Sequence, residues 1–311
     1  MTNSTHVAVA IVGYRNVSDI QRCLAALAQS THTDFEVVIC ENGGPEAYAD
    51  LTASVGPVLP GGQPIRCIAA GGNLGYAGGL NVCLRATPTA DAWWILNPDT
   101  VPQAGAMAAL AERLTVGDRD AVGGVLHDGK GVVQTLGGRW RSWLGRAEAI
   151  GHHRRLDDIG EDPEIERSLS FLSGASMMVS PKFRDIAGYL REDYFLYAEE
   201  VEWCLRGVAK GLRLGFTPHA LVAHNQGSTT GSAQAHSTRG RIPIYLDERN
   251  KVLVTWDTHP ERLFIAAPAA FVFIWLRYAR RGAWRQLQYG LQGWMAGLRG
   301  ERGVPSWLSV R

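Results

Sequence analysis

The sequence has almost no net charge and few cysteines. Its 31 basic and 30 acidic residues leave a formal net charge of +1, which argues against a general nucleic-acid-binding protein. The five cysteines lie far apart and form no CxxC pair. Neither a disulfide framework nor a zinc site is therefore expected, and a reducing, cytoplasmic compartment is indicated.

Segments that direct a chain to a membrane are not apparent either. The opening MTNSTHVAVA has no basic region before its apolar residues, so no signal peptide is predicted. The longest apolar run, residues 263–276, spans fourteen residues and contains Pro268. That length is too short for a predicted membrane span.

Two common nucleotide-binding motifs are also missing. The glycine-rich stretch GGNLGYAGGLN (71–81) contains no GxGxxG, and it follows the third strand-like run rather than the first. No GxxxxGK[ST] occurs in the chain. These absences argue against a hydride-transfer enzyme and against a P-loop ATPase.

The sequence does contain a regular alternation of strand and helix patterns. Strand-like apolar runs lie at 7–14, 35–42, 65–70 and 92–99, and a helical pattern follows each of them. This order is typical of parallel strands joined by right-handed crossovers, so it predicts an α/β fold. Later strand-like runs predict a mixed or antiparallel extension of the sheet, at 121–128, 168–180 and 212–225.

Polar or flexible residues follow all four early strand patterns. They are Tyr14-Arg15-Asn16, Glu41-Asn42-Gly43, Gly71-Gly72-Asn73 and Asn97-Pro98-Asp99. Turn residues are expected at any single strand end. Because the carboxyl ends of parallel strands meet at one edge, where such sheets bind ligands, four together predict a binding edge.

The residues of LNPD (96–99) suit a hard metal ion. Asn97 and Asp99 can direct two oxygen side chains at one point beyond the sheet edge. Mg²⁺ and Mn²⁺ prefer a few protein oxygens and complete their coordination with phosphates. His224 ends another strand-like run and could supply a nitrogen ligand, although most isolated histidines have no such role.

The stretch FLYAEEVEWCLR (195–206) places three glutamates among apolar residues. On a helix, a buried stripe should form from Val201, Cys204, Leu205 and Val208. Glu199 and Trp203 should point away from that stripe, and Glu202 should pair with Arg206 one turn later. Glu200 has no basic residue three or four positions later, so its carboxylate is the one expected to be available for chemistry.

In this order the segments resemble the family 2 glycosyltransferases with a GT-A fold, in particular the rhamnosyltransferase-like enzymes of bacterial polysaccharide assembly. The resemblance rests on GYRN, EN-G, GGNLGYAGGLN, W-ILNPDT, SGASMMVS, YAEEVEWCLR and LVAHN, with a looser match in YLDERN. It implies a Rossmann-like mixed sheet flanked by helices. The catalytic domain would span 1–235 and a basic helical extension 236–311. Independently of the resemblance, the fourteen-residue loop of small residues at 227–240 predicts a mobile lid.

The resemblance also implies roles for particular residues. The nucleotide donor would be bound by Tyr14, Arg15, Glu41, Asn73, Gly75, Asn81 and Asn97. The sugar and acceptor would lie beside Gly174, Ala175 and Glu199. Asp99 and His224 would bind Mg²⁺ or Mn²⁺, with Asn97 in place of the first aspartate of the usual metal motif. Glu200 would be the catalytic base, where the family usually has aspartate.

The implied function is an inverting sugar transfer. The favoured donor is dTDP-L-rhamnose, with UDP- and GDP-sugars as alternatives, and the acceptor would be a saccharide carried on a polyprenyl diphosphate. Two other functions are compatible with the sequence. One is a metal-dependent phosphohydrolase acting on nucleotide sugars, and the other is a non-catalytic nucleotide-binding protein at the membrane surface.

The C-terminal region is strongly basic. From Arg277 onward there are seven arginines and one acidic residue, Glu301, and the region also contains Trp275, Trp284 and Trp294. Interfacial helices have this composition, so an anionic membrane surface is a predicted partner, at the inner face of the cytoplasmic membrane. A pair of helices packed over the core is the alternative.

Overall fold

The computed structural model describes residues 5–225 and 238–308. The strands are β1 (Val7–Gly13), β2 (Phe35–Glu41), β3 (Ile65–Ala69), β4 (Ala92–Leu96), β5 (Thr100–Pro102), β6 (Ala121–His127), β7 (Val133–Thr135), β8 (Gly138–Arg141), β9 (Arg146–Ala149), β10 (Ser176–Val179) and β11 (Leu214–His224). The helices are α1 (Val17–Leu27), α2 (Pro45–Ser54), α3 (Gly75–Ala86), α4 (Ala106–Thr115), α5 (Pro163–Ser168), α6 (Pro181–Ala187), α7 (Glu199–Ala209), α8 (Arg241–Thr258), α9 (Leu263–Tyr278) and α10 (Trp284–Leu298). The predicted lid lies largely, and the predicted domain boundary wholly, outside the described residues.

Nine of these strands form one mixed sheet. Its order is β3-β2-β1-β4-β10-β6-β11-β5, with β7 added beside β6, and β8 and β9 form a separate hairpin. The β3-β2-β1-β4 part is parallel, as the alternation of strands and helices predicts. Strand β10 runs antiparallel to both β4 and β6, and β11 runs parallel to β6. The predicted α/β fold with a mixed extension is confirmed.

Adjacent tryptophans on β4 show how the sheet is covered on both sides. Trp94 belongs to the apolar cluster beneath α1 and α4, whereas Trp93 belongs to the cluster beneath α3, α6 and α7. Successive strand residues point to opposite faces, so one strand serves both cores. Each indole finds a hydrogen-bond acceptor, Thr87 Oγ1 for Trp93 (2.9 Å) and Ser176 Oγ for Trp94 (3.0 Å).

The strand directions bring distant segments to one edge of the sheet. Because β10 is antiparallel to both of its neighbours, β4 and β6 point the same way, and β11 follows β6. The carboxyl ends of β1, β2, β4 and β11 therefore lie along a single edge. Short strand β5 then turns back antiparallel to β11, with Thr100 opposite His224.

The C-terminal helices pack on the sheet domain through α7. Helix α8 contacts α7 and α10, and α9 contacts both α8 and α10. The helix packing that was the alternative to a membrane contact is thus present. One face of α9 nevertheless stays open to solvent, with exposed side chains at Phe264, Ile265, Phe271, Val272, Trp275 and Leu276.

The apolar run at 263–276 lies in a longer helical stretch than the sequence indicated. Short 3-10 turns extend α9 at both ends to Pro260–Arg281, a stretch of 22 residues. By length and composition, this stretch of the described chain could cross a membrane, and 28% of its most apolar part is buried. Core helices of soluble proteins can be equally long and apolar, so the helix by itself does not show a membrane span.

Candidate active site

The loops after β1 and β2 are joined by a buried carboxylate. Oε1 of Glu41 accepts hydrogen bonds from the backbone N–H groups of Arg15 (3.0 Å) and Gly43 (2.7 Å). Its Oε2 is buried and has no hydrogen-bond partner among the described residues, and a Cβ at Gly13 would come within 2.5 Å of it. The Arg15 guanidinium lies over the exposed ring of Tyr14. One oxygen of Glu41 therefore joins the two loops, and the other faces Gly13.

The glycine-rich segment after β3 meets the segment that precedes α7. Oδ1 of Asn73 accepts from the N–H of Gly75 (3.0 Å), and Nδ2 of Asn42 donates to the Gly75 carbonyl (2.7 Å). Gly75 has a φ of 72°, and a Cβ there would overlap the carbonyl oxygen of Phe195. That oxygen accepts from the N–H of Tyr76 (2.8 Å). Glycine is therefore required at position 75 for its backbone angles and for close approach.

Asn81 has a structural role and does not line the nucleotide site directly. The side chain is fully buried on α3. Its amide donates to the Leu190 carbonyl and to Oε1 of Glu192 (both 2.9 Å), and its oxygen accepts from the N–H of Leu190 (3.0 Å). Both amide hydrogens are occupied, so Asn81 fastens α3 to the chain before α7. The expected nucleotide contact of this side chain is corrected.

The structure brings together the two residues that the sequence proposed as metal ligands. Nε2 of His224 lies 3.4 Å from Oδ1 of Asp99, and both side chains are about nine-tenths buried. Gln134 on β7 fixes the imidazole, because its Nε2 donates to the His224 carbonyl (2.8 Å) and its Oε1 faces Nδ1 (3.0 Å). This network assigns the ring proton to Nδ1 and turns the Nε2 lone pair toward Asp99.

This arrangement fits a divalent cation. A lone pair facing a carboxylate is repulsive unless a proton or a cation lies between them. Two ligand atoms, each about 2.1 Å from one ion, would lie about 3–3.5 Å apart. Within the described chain, no group of three or more His, Cys, Asp or Glu could hold a metal. The protein would therefore supply two ligands and leave the other positions to diphosphate oxygens and water.

The predicted sugar and acceptor segment connects the two halves of the site. The Gly174 carbonyl accepts from the hydroxyl of Tyr76 (2.6 Å), and the Ala175 carbonyl accepts from the N–H of Asn97 (3.0 Å). Asn97 is held by its backbone, while its side chain is half-buried at the edge. The chain at 174–175 therefore lies between the metal-site loop and α3.

Glu200 lies in the first turn of α7, against this segment. A Cβ at Gly174 would meet Cβ and Cγ of Glu200 at 3.5 Å and the ring of Tyr76 at 3.6 Å. Burial raises the pKa of Glu200 to about 6, and the negative charge of Asp247 adds to the rise. A carboxyl with that pKa is ionised near neutral pH yet accepts protons better than an exposed glutamate does.

The two neighbouring glutamates differ from Glu200 and from each other. Glu202 is buried and forms a two-point ion pair with Arg206 (2.7 and 2.9 Å), which confirms the predicted i, i+4 pair. Glu199 is also buried, but its Oε2 has no hydrogen-bond partner in the part of the chain that the structure describes. Burial, together with the charge of Glu200, raises the pKa of Glu199 well above its usual range. Glu199 is therefore suited to remain protonated beside an ionised Glu200.

The predicted apolar stripe of α7 is only partly right. Val201 and Cys204 are buried, but Val208 is 41% exposed. Trp203, expected to point away, is fully buried, with Nε1 donating to the Gly188 carbonyl (2.7 Å). The reason is that α6 and α8 cover α7 from two sides. A helix enclosed in this way has no single buried stripe.

Two residues of the site went unnoticed in the sequence. The hydroxyl of Tyr76 donates to the Gly174 carbonyl, and its ring lies beside Gly174, where Glu200 also packs. Burial, and then the negative charges of Glu199, Glu200 and Asp99, raise the pKa of Tyr76 well above its usual range. The aromatic residue inside the glycine-rich stretch was its available signal. Gln134 lies on a three-residue strand with no recognisable pattern, so nothing in the sequence pointed to it.

A family comparison gives the site its context. The family described as Glycosyl transferase family 2 matches residues 8–183 of the chain, which is more than half of its 311 residues. This range contains the strand-end loops, the glycine-rich segment, Asp99 and Gly174. It stops before α7 and His224.

Curated relatives cover most of the chain. The low-salt glycan biosynthesis hexosyltransferase Agl10 of Haloferax volcanii is 22% identical over 272 residues, covering 80% of this chain and 75% of the relative. The N-acetylglucosaminyl-diphospho-decaprenol L-rhamnosyltransferase of Mycobacterium tuberculosis is 25% identical over 248 residues, covering 72% and 77%.

Solved structures share the fold at low sequence identity. A mannosyltransferase from Pyrobaculum calidifontis, in complex with GDP-Man and Mn²⁺, superposes with a TM-score of 0.59 at 14% identity, covering 96% of this chain and 89% of that one. GalNAc-T7 with UDP, GalNAc and Mn²⁺ gives a TM-score of 0.61 at 14% identity, covering 87% and 52%. The resemblance seen in the motifs is confirmed: the chain is a glycosyltransferase of the GT-A fold and belongs to glycosyl transferase family 2.

Proposed function

We propose that the protein transfers a sugar, with inversion, from a nucleotide diphosphate to a saccharide acceptor, and that Glu200 is the general base. The observation that carries the proposal is the position of Tyr76. Its ring lies beside Gly174 and Glu200, and its hydroxyl donates to the Gly174 carbonyl. The next carbonyl, of Ala175, accepts from the N–H of Asn97, two residues before Asp99. A proton acceptor and a cation-binding pair therefore lie on two sides of one short stretch of the sheet edge.

The chemistry follows from these positions. The carboxylate of Glu200 takes the proton of the acceptor hydroxyl as that oxygen attacks the anomeric carbon, and the bond from this carbon to the diphosphate oxygen breaks. Asp99 and His224 would hold Mg²⁺ or Mn²⁺, which supplies charge neutralisation for the departing diphosphate. Gln134 keeps the Nε2 atom of His224 available for this role.

The donor site is assigned to the strand-end loops. Tyr14, Arg15, Asn73 and Gly75 border it, and the unpartnered Oε2 of Glu41 is suited to accept a hydrogen bond from a nucleobase. A dTDP-L-rhamnose donor is supported by the relative named an L-rhamnosyltransferase. The complexes of the structural neighbours with GDP-Man and with UDP make GDP- and UDP-sugars the alternatives.

The acceptor is proposed to be lipid-linked and to reach the enzyme at a membrane. The decaprenol-linked substrate in the name of the mycobacterial relative supports the first part. The open apolar face of α9 supports the second, because exposed arginines follow it at Arg280, Arg281 and Arg285. Apolar side chains edged by arginines suit an anionic lipid surface. We propose accordingly that the protein acts peripherally, on the inner face of the cytoplasmic membrane.

A donor panel tests the proposal. Purified protein is incubated with dTDP-rhamnose and with UDP- and GDP-sugars, with Mn²⁺ or EDTA, and with or without a synthetic lipid-diphosphate saccharide. We expect transfer that needs both metal and acceptor, giving a product of inverted anomeric configuration. Acceptor-independent release of nucleotide would instead identify a phosphohydrolase. Metal-dependent binding without any turnover would identify a non-catalytic nucleotide-binding protein.

A further inference from the structure

The chain leading into α7 has an unusual backbone. Phe195, Tyr197 and Ala198 have φ angles of 66°, 74° and 63°. Residues with a Cβ rarely occupy this left-handed region, and three within four positions persist only where surrounding structure holds them. The segment ends directly at Glu199 and Glu200, so its conformation sets where the proposed base stands.

Two buried side chains of α8 hold this turn. Nδ2 of Asn250 lies within hydrogen-bond distance of three carbonyl oxygens, those of Tyr194 (3.0 Å), Leu196 (2.8 Å) and Tyr197 (2.7 Å). Nη2 of Arg249 also donates to the Tyr194 carbonyl (3.0 Å). We call Arg249 and Asn250 the α8 clamp.

The clamp is itself fixed in orientation. Nε of Arg249 donates to Oδ1 of Asn250 (2.9 Å), which turns the amide nitrogen toward the carbonyls. Nη1 of Arg249 donates to the Gly303 carbonyl (2.7 Å), and the N–H of Gly303 donates to the Asp193 carbonyl. The C-terminal chain therefore closes over the clamp from the other side.

The α8 clamp buries a charged side chain and an amide, which is unfavourable in free energy for a contact with only a structural role. Arg249 is 1% exposed, and Asn250 is fully buried. The hydrogen bonds described for the Arg249 guanidinium go to two carbonyls and an amide, all neutral acceptors. Burying a guanidinium among neutral acceptors is unfavourable compared with apolar packing. The need to hold the backbone at 195–198 in one position explains this arrangement better than a contribution to stability does.

We propose that the α8 clamp is a positioning device for the catalytic base, with Asn250 as its central residue. It holds the left-handed turn at 195–198 and thereby fixes Glu200 against Gly174 and Tyr76. The inference rests on the proposed role of Glu200. It also makes α8, beyond the region matched to the family, a working part of the active site.

The test compares Asn250→Ala with Val252→Ala. Val252 lies two residues further along α8, is buried, and packs where α10 passes at Gly297, so its truncation weakens the helix without touching the turn. Hydrogen exchange of the amides at 196–202 is measured in both variants, together with kcat and donor affinity. Asn250→Ser also removes the amide but keeps a small polar side chain. It is measured in parallel, so that the comparison can still be made if the alanine variant misfolds.

We expect faster exchange at 196–202 only in the Asn250 variants. We also expect kcat to fall about 100-fold or more, because small misplacements of reacting groups have effects of that size, with donor affinity unchanged. Adding Ala198→Gly should restore part of kcat, since glycine adopts the left-handed region freely. Equal effects of Asn250→Ala and Val252→Ala at matched thermal stability, or no recovery with Ala198→Gly, would overturn the proposal. If the wild-type protein transfers no sugar, the proposed function fails. The hydrogen-exchange measurement then decides by itself whether the α8 clamp holds the turn at 195–198.

Discussion

Nε2 of His224 lies 3.4 Å from Oδ1 of Asp99, where the end of β11 pairs with β5, the short strand that follows Asp99. The two residues are far apart in the sequence, and strand β5 brings them together by pairing with β11. In the proposed mechanism this pair holds the divalent cation on the donor diphosphate.

Asp99→Ala should therefore abolish metal-dependent donor binding while leaving the fold intact. One of only two protein ligands is lost, so the diphosphate can no longer recruit the ion to the site. Calorimetric titration of a nucleotide diphosphate with and without Mn²⁺ measures the effect, and Asp50→Ala, at an exposed position on α2, is the control. Full wild-type activity in excess EDTA would contradict the metal role.

Gln134→Ala should weaken metal-dependent binding about 10- to 100-fold, the usual effect of removing the partner that orients a histidine ligand. The imidazole loses its Nδ1 acceptor and is free to rotate away from Asp99. Gln134→Glu should preserve binding, because a carboxylate oxygen can still accept from Nδ1. Mn²⁺ titration in the presence of nucleotide distinguishes the variants, and equal losses in both would exclude the orienting role.

Glu199→Gln should raise the melting temperature at pH 8 and change it little at pH 5. Burial raises the pKa of this carboxyl in the folded state, so the folded state favours the protonated form. The stability that the protonated form provides is complete below the pKa that the carboxyl has in the unfolded chain. It is lost as pH rises through the pKa that the carboxyl has in the folded protein. Glutamine cannot ionise and avoids that loss, so at pH 8 the variant should melt at a higher temperature than the wild-type protein.

Glu202→Gln is the matched control for this measurement. Its carboxylate is buried and paired with Arg206, so neutralising it should lower the melting temperature at pH 8. Thermal unfolding followed by circular dichroism at both pH values compares the two variants. A fall for Glu199→Gln at pH 8 would show that this carboxylate has a stabilising partner when ionised.

Full-length protein should sediment with vesicles containing anionic lipid, and a triple reversal of Arg280, Arg281 and Arg285 to glutamate should abolish most of that binding. Each arginine near an anionic surface contributes about 1 kcal/mol at low salt. Reversal of three exposed arginines outside the C-terminal helices, Arg154, Arg155 and Arg167, is the control for net charge. Absence of wild-type binding at low salt would refute the membrane contact.

The edge of the sheet that carries the site could be predicted from the sequence, because parallel strands joined by helices have their carboxyl ends at one edge. The loops at Arg15, Glu41, Asn73 and Asp99 had to meet once the alternation was recognised. What sequence reasoning missed depends on contacts between distant segments. Asn250 holds a turn more than fifty residues earlier in the chain, and no local pattern reveals which backbone a buried amide will contact.

The error at Trp203 has the same origin. A helical wheel assumes one covered face, whereas α6 and α8 cover α7 from two sides. Trp203 is buried edge-on against Phe183 of α6. The family resemblance located Asn81 near the nucleotide loop. It could not reveal that both amide hydrogens of this side chain are bonded to Leu190 and Glu192. In each case the missing information was the packing of a second element.

The central claim is that Glu200 removes the proton from the acceptor, and single-turnover transfer across pH tests it most directly. The wild-type rate should fall as pH drops below about 6, because burial sets the pKa of Glu200 near that value and protonation removes the base. Glu200→Gln, which keeps size and hydrogen bonding, should lose about 10²–10⁴-fold in rate and lose the acid limb, with donor affinity retained. Near-normal turnover in Glu200→Gln, with the collapse in Glu199→Gln instead, would contradict the account and assign the base to the neighbouring residue.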